Sequence, residues 1–201
     1  MSEPVPPRAA APLTERRVEP SAVVGRSVSP ATFRDVLGHF CTGVTVITAA
    51  DGDQRAGFAC QAFAALSLDP PLVLFCPTRT SRTWPVIERA GRFVANILSW
   101  DQAAVSSAFG RSGPDKFAGL DWHRSPGGLP VLAEALTWLE AEITSVTPSG
   151  DHYLVVARVT RLGETSGERP LLFHCGRYST TEPELAAPEP WFSWSYPDDW
   201  I

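Results

Sequence analysis

The chain has 201 residues, 44% of them hydrophobic and 19% charged, with a formal net charge of -5. That length fits one globular domain with a sizeable core plus tails. The acidic balance without a basic run argues against a nucleic-acid groove, and no apolar stretch approaches the ~20 residues that cross a membrane. The start, Met1-Ser2-Glu3-Pro4, lacks the basic onset and apolar run of a signal peptide, so a cytoplasmic protein is expected.

Residues 1–29 are rich in Pro, Ala and Arg and show no apolar period, which reads as a flexible arm too poor in large apolar groups to repay its ordering entropy. Order is expected from Ser29, an N-cap followed by Pro30 at the first helical position. Phe33, Val36, Leu37 and Phe40 recur at helical spacing, with a stop near Gly43. Residues 44–48 and 55–63 read as two strands of a hairpin turned at Asp51-Gly52-Asp53. After Pro70-Pro71, residues 72–76 read as a fully buried strand.

A short helix follows over 83–89, with Pro85 in its first turn and Gly91 at its end. Further elements are a strand over 92–98, a helix over 102–109 and a long loop over 110–128. Three more strands cover 136–146, 153–162 and 171–175. Residues 181–201 return to Pro and Glu, yet Trp191, Phe192, Trp194, Tyr196 and Trp200 are too aromatic for a solvated tail. They are expected to pack on the chain or on a partner. About seven short strands with irregularly inserted helices predict a mainly β, mostly antiparallel barrel spanning 30–180. The absence of G-x-G-x-x-G after a first strand argues against a Rossmann domain.

The chemistry concentrates between Gly57 and Pro85. The buried strand delivers Thr78-Arg79-Thr80-Ser81-Arg82-Thr83, six residues that donate hydrogen bonds or carry positive charge, which suits an anion such as phosphate. The small, apolar segment before it suits a planar ring, so a phosphorylated aromatic cofactor satisfies both ends. The plainer reading is a strand, a solvated polar loop and a helix cap. Cys41, Cys60, Cys76 and Cys175 stand singly, which favours structural cysteine over a metal or disulfide framework, with Cys60 set apart by its place in the cofactor segment. His39, His123 and His174 have no partners by spacing and read as structural. Glu140 and Glu142 read as a solvated strand face, and Asp69 as turn chemistry.

Several segments together resemble the short-chain flavin reductases: FRDVLGHFCTGVTVIT (33–48), GFACQAFAALSLDPPLVLFCP (57–77), Ser81-Arg82-Thr83, RFVANIL (92–98), GDH (150–152) and PLLFHCGRY (170–178). These are the small NAD(P)H-dependent components of two-component flavin monooxygenases. Within the family, the wording of 57–77 and the Trp-containing C-terminus look most like the reductase partners of actinobacterial monooxygenases acting on phenolic secosteroids. The resemblance implies an FMN-binding split β-barrel, Greek-key-like and antiparallel with a few decorating helices. It also implies a homodimer and hydride transfer from NADH (or NADPH) to FMN (or FAD), with reduced flavin passing to a separate monooxygenase component.

Carried over by position, Phe58, Ala59, Cys60, Gln61, Ala62 and Phe63 would line the flavin ring, largely through their backbone. Ser81 and Thr83, helped by Arg79, would hold the phosphate, with Asn96 in support. His152 and Tyr178 would lie at the nicotinamide, and Lys116 and Phe117 would cover the site. Many relatives carry Thr, Asn and Ser where this chain has Ala59, Gln61 and Ala62, which shifts the work from side chains to backbone N–H groups. Two rival readings share the architecture: a non-catalytic flavin carrier or sensor modulated by Cys60, and an oxidase of the pyridoxamine-phosphate type.

Overall fold

The computed structural model describes residues 28–113 and 115–182, so the arm before Val28 and the aromatic residues of the tail lie outside the described part. In chain order the elements are α1 (Pro30–Gly38), β1 (Thr42–Gly43), β2 (Thr45–Asp51), β3 (Gln54–Cys60), β4 (Phe63–Leu68) and β5 (Pro71–Phe75). Then come α2 (Trp84–Ala90), β6 (Arg92–Ile97), α3 (Ala103–Gly110), β7 (Trp122–Arg124) and β8 (Pro130–Leu132). The chain continues through β9 (Thr137–Ser149), β10 (His152–Leu162), β11 (Leu172–His174) and β12 (Arg177–Ser179). The molecule is mainly β with three short helices among the described residues.

Seven strands form one sheet in the order β3-β2-β6-β9-β10-β5-β4, and every pairing in it is antiparallel. The β2–β3 hairpin turns through Gly52 and Asp53, where Gly52 takes a φ of 60°, a conformation that glycine adopts freely. The largest core cluster lies on this sheet and under α2, around Ile47, Phe75, Trp84, Ile87 and Phe93. A second cluster, including Val46, Leu98, Phe109 and Phe117, sits between the sheet, α3 and the segment that follows it. The β11–β12 hairpin pairs with β1 in a separate small sheet.

Local signals placed most of these elements. Ser29 accepts from the Thr32 amide at 3.1 Å, the capping bond expected of it. Gly91 ends α2 at a φ of 67°, in the left-handed C-cap conformation. Four expectations are corrected. The strand over 55–63 breaks at Gln61-Ala62, and Phe63–Leu68 is a strand of its own, paired with β5. The strand over 72–76 is buried on one face only, since Val73 and Phe75 are covered while Leu72, Leu74 and Cys76 are half-buried. The loop over 110–128 contains β7, which pairs with β8.

Glu140 does not share a solvated face with Glu142. It is 2% exposed, beneath the turn at 125–128. Arg161 donates to it at 2.6 Å and the Gly127 amide at 3.0 Å. Burial pushes the Glu140 carboxyl up, but hydrogen bonds from Ser125, Arg161 and Gly127 outweigh it and hold the group below its ordinary range.

Candidate active site

The break between β3 and β4 opens one wall of a cleft of about 1220 Å³. Gly57 makes room for this wall, because a Cβ there would meet Phe109 Cε1 at 2.6 Å and the Ile47 carbonyl at 3.0 Å. Phe58 through Ala62 line the cleft. Thr45 Oγ1 donates to the Cys60 carbonyl at 2.7 Å, and the Cys76 amide donates to the Ala62 carbonyl at 3.1 Å, fixing both sides of the bend.

The opposite end of β5 supplies the hydroxyl-rich loop. Thr78, Thr80, Ser81, Arg82 and Thr83 all line the cleft. The Ser81 and Thr83 hydroxyls lie 3.1 Å apart, and Ser81 Oγ also accepts from the Trp84 amide at 3.2 Å. The loop is tied to the β9–β10 turn: the Arg79 amide donates to the Asp151 carbonyl and the Tyr153 amide to the Pro77 carbonyl, each at 2.9 Å. That tie brings His152 to the same cleft. His152 Nδ1 donates to Asp151 Oδ1 at 2.7 Å, so Nε2 is the ring nitrogen left for a ligand. The same hydrogen bond holds the Asp151 carboxyl below its usual range.

The third wall comes from α3 and β12. Tyr178 donates to Ser106 Oγ at 3.0 Å, and its ring meets Phe173 edge-on at 5.4 Å between centroids. Lys116 donates to the Phe109 carbonyl at 2.8 Å, and partial burial lowers its pKa. Arg82, Arg111 and Lys116 give the cleft three cations, and among the described residues no Asp or Glu lines it. In a chain of net charge -5, that is a local reversal of sign suited to an anionic ligand.

Of the expected site residues, the fold brings Phe58, Ala59, Cys60, Gln61, Ala62, Ser81, Thr83, His152, Tyr178 and Lys116 to one cleft. Four others lie elsewhere. Phe63 packs against the main core. The Arg79 guanidinium sits 5.9 Å from the Tyr153 ring. Asn96 is fully buried, and its side chain is spent on the Val46 carbonyl, Thr48 Oγ1 and the Leu132 amide. Phe117 is buried between Phe109 and Trp122.

Sequence reasoning passed over Ser106, Ser107 and the turn from Gly110 to Gly113, all of which line the cleft. Their signal was present, since Gly110-Arg111-Ser112-Gly113 repeats the Arg and hydroxyl vocabulary of 78–83. Cys60 is 5% exposed, and burial pushes its thiol up to about 12, so it is a neutral, unreactive packing group.

The sequence profile of the flavin reductase like domain matches residues 37–182. The chain belongs to this family. Among curated members it is 51% identical to the reductase subunit HsaB of a flavin-dependent monooxygenase from Rhodococcus jostii, over 85% of this chain and 87% of the relative. Among solved members it is 48% identical to a nitrilotriacetate monooxygenase component B homologue from Mycobacterium thermoresistibile, with a TM-score of 0.77, covering 87% of this chain and 96% of that one. The chain is also similar to the NADH:FAD oxidoreductase SgcE6 of Streptomyces globisporus, solved in complex with NAD and FAD fragments. It is 29% identical, with a TM-score of 0.74, over 78% of this chain and 94% of that one.

Proposed function

We propose that this chain is an NAD(P)H-dependent flavin reductase, transferring hydride from NADH to FMN or FAD and supplying reduced flavin to a separate monooxygenase. The observation that carries the reading is the cleft itself. A small-residue wall with exposed backbone meets a Ser/Thr/Arg loop, three cations are present, and no carboxylate of the described residues lines it. This donor set fits a phosphorylated aromatic group. The volume exceeds the ~300–1,000 Å³ of most single-ligand pockets, leaving space for two nucleotides.

Ser81 and Thr83, with Arg82 beside them, would hold the flavin phosphate. Phe58–Ala62 would lie along the ring. His152, oriented by Asp151, and Tyr178, oriented by Ser106, would contact the nicotinamide. Flavin supplies the electron-accepting ring, and the protein's task is to align the two cofactors and exclude water. Accordingly no acid–base dyad is required, and the long-range duty of each polar residue is positioning.

The domain is taken as residues 30–180, with its seven-stranded antiparallel sheet as the wall of a split β-barrel. A homodimer belongs to this reading, and unpartnered apolar surface supports it. Helix α1 buries none of its residues, Phe33, Val36 and Phe40 are all more than half exposed, and edge strand β4 exposes Leu66 and Leu68. A second copy covering these faces would remove them from water. The activity needs neither membrane nor nucleic acid and suits the cytoplasm, where nicotinamide cofactors are reduced.

The test is consumption of NADH by the purified chain with FMN, FAD or riboflavin added. Turnover that depends on flavin supports the reading, and a higher KM for riboflavin than for FMN supports the phosphate seat.

A further inference from the structure

The turn between β11 and β12 carries a second cluster of reactive groups. His174 and Arg177 face each other in the ladder, and Cys175-Gly176 makes the two-residue turn between them. Both turn residues have positive φ, 46° and 76°, as in a type I′ hairpin turn, whose first position normally belongs to Asn, Asp or Gly. A cysteine held there costs conformational energy and gains no burial, because Cys175 is exposed. Its amide donates to the Gly38 carbonyl at 2.8 Å, which pins the turn against the end of α1. The next residue, His39, is the C-cap of that helix.

The result joins residues 136 positions apart. Cys175 Sγ lies 3.6 Å from His39 Nδ1 and 3.5 Å from His174 Nε2. All three donor atoms lie within 4.8 Å of one another. We propose that His39, His174 and Cys175 form a zinc site that staples α1 to the β11–β12 hairpin. In a tetrahedral site with Zn–S of about 2.3 Å and Zn–N of about 2.0–2.1 Å, sulfur and nitrogen stand about 3.6 Å apart, which matches both separations.

One thiolate with two imidazoles is a donor set that favours Zn²⁺ over Mg²⁺ or Ca²⁺. The remaining closure is a rotation of exposed imidazoles. Binding replaces the thiol proton by the metal, releasing one proton to solvent and leaving every oxidation state unchanged. Water fills the fourth position. None of the three residues lines the cleft, so the site stands independently of the flavin reading. It is nevertheless coupled to the cleft through the hairpin, because Tyr178 follows Cys175 by three residues.

Titration of the full chain with Co²⁺ as a spectroscopic stand-in tests the site. One Co²⁺ per chain is expected, with a thiolate-to-metal charge-transfer band that Zn²⁺ displaces. Cys175→Ser should abolish the band, His39→Ala and His174→Ala should each weaken binding ~10-fold or more, since loss of even an outer-shell partner of a metal ligand costs about that much, and Cys41→Ser should leave it intact. Cys175→Gly is the folding control, since glycine suits the positive φ. It should bind no metal at the site while raising the metal-free Tm. Absence of a thiolate band, or a band that survives Cys175→Ser, overturns the proposal.

Discussion

The Tyr178 hydroxyl donates to Ser106 Oγ at 3.0 Å, joining residues 72 positions apart on β12 and α3. This bond fixes the third wall of the cleft. Tyr178→Phe removes it while keeping the ring against Phe173. The expected result is a fall of about fivefold in kcat/KM for NADH, ~1 kcal/mol, the usual worth of such a hydrogen bond. Steady-state kinetics with flavin saturating checks it, and an unchanged value places Tyr178 outside the nicotinamide contacts.

Ser81 and Thr83 share a 3.1 Å hydroxyl contact beside Arg82 in the wall of the cleft. Replacing both with Ala should raise the flavin KM ~10-fold or more, about 1.4 kcal/mol. Riboflavin, which has no phosphate, should be affected far less. An equal loss for FMN and riboflavin would assign the change to the lost Ser81 cap of α2 instead.

His152 is oriented by Asp151 and is the imidazole that lines the cleft. His152→Ala should raise the KM for NADH more than the KM for flavin. Parallel titrations of the two substrates decide this, and equal effects on both would count against the nicotinamide assignment.

Glu140 gives the fold a pH dependence of known sign. Its folded pKa lies below the ordinary 4.5, so the ionised group stabilises the native state above the unfolded pKa. That contribution is lost as pH falls from about 4.5 through the lower folded value. Glu140→Gln should lower Tm at pH 7, by ~1–3 kcal/mol in stability given three hydrogen bonds to a charged group. It should also flatten the acid limb of Tm against pH. A variant whose acid limb is as steep as the parent's would refute the linkage.

Gly57 faces Phe109 too closely for a side chain. Gly57→Ala should destabilise by ~1–3 kcal/mol, the usual cost of overpacking, and should disturb the wall formed by Phe58–Ala62. Thermal denaturation measures the first effect and flavin KM the second.

Much of the fold was legible because local chemistry and final structure agree. Ser29-Pro30 opens α1, Gly52 turns the first hairpin, and Gly91 closes α2. The start of β4 was hidden because Gln61-Ala62 carries no Gly or Pro, and the bend there is set by the Cys76 amide on the neighbouring chain segment. Glu140 was misjudged because strand alternation reports a face and not the turn that covers it. The hydroxyl- and Arg-rich wall at 78–83, the proposed phosphate seat, was legible because its residues are contiguous.

Asn96 shows the opposite case. Its motif resemblance pointed to the cleft, while its hydrogen bonds tie β2, β6 and β8 together inside the protein. His39 and Cys175 meet only because β11 pairs with β1 and the turn docks on Gly38. No spacing rule reports a contact made by tertiary pairing.

The most direct measurement is the rate of NADH oxidation by the purified chain, with and without added FMN. The account predicts negligible oxidation alone and catalytic turnover that saturates with FMN. NADH oxidation unchanged by FMN or FAD, in a folded protein that binds flavin, would contradict it.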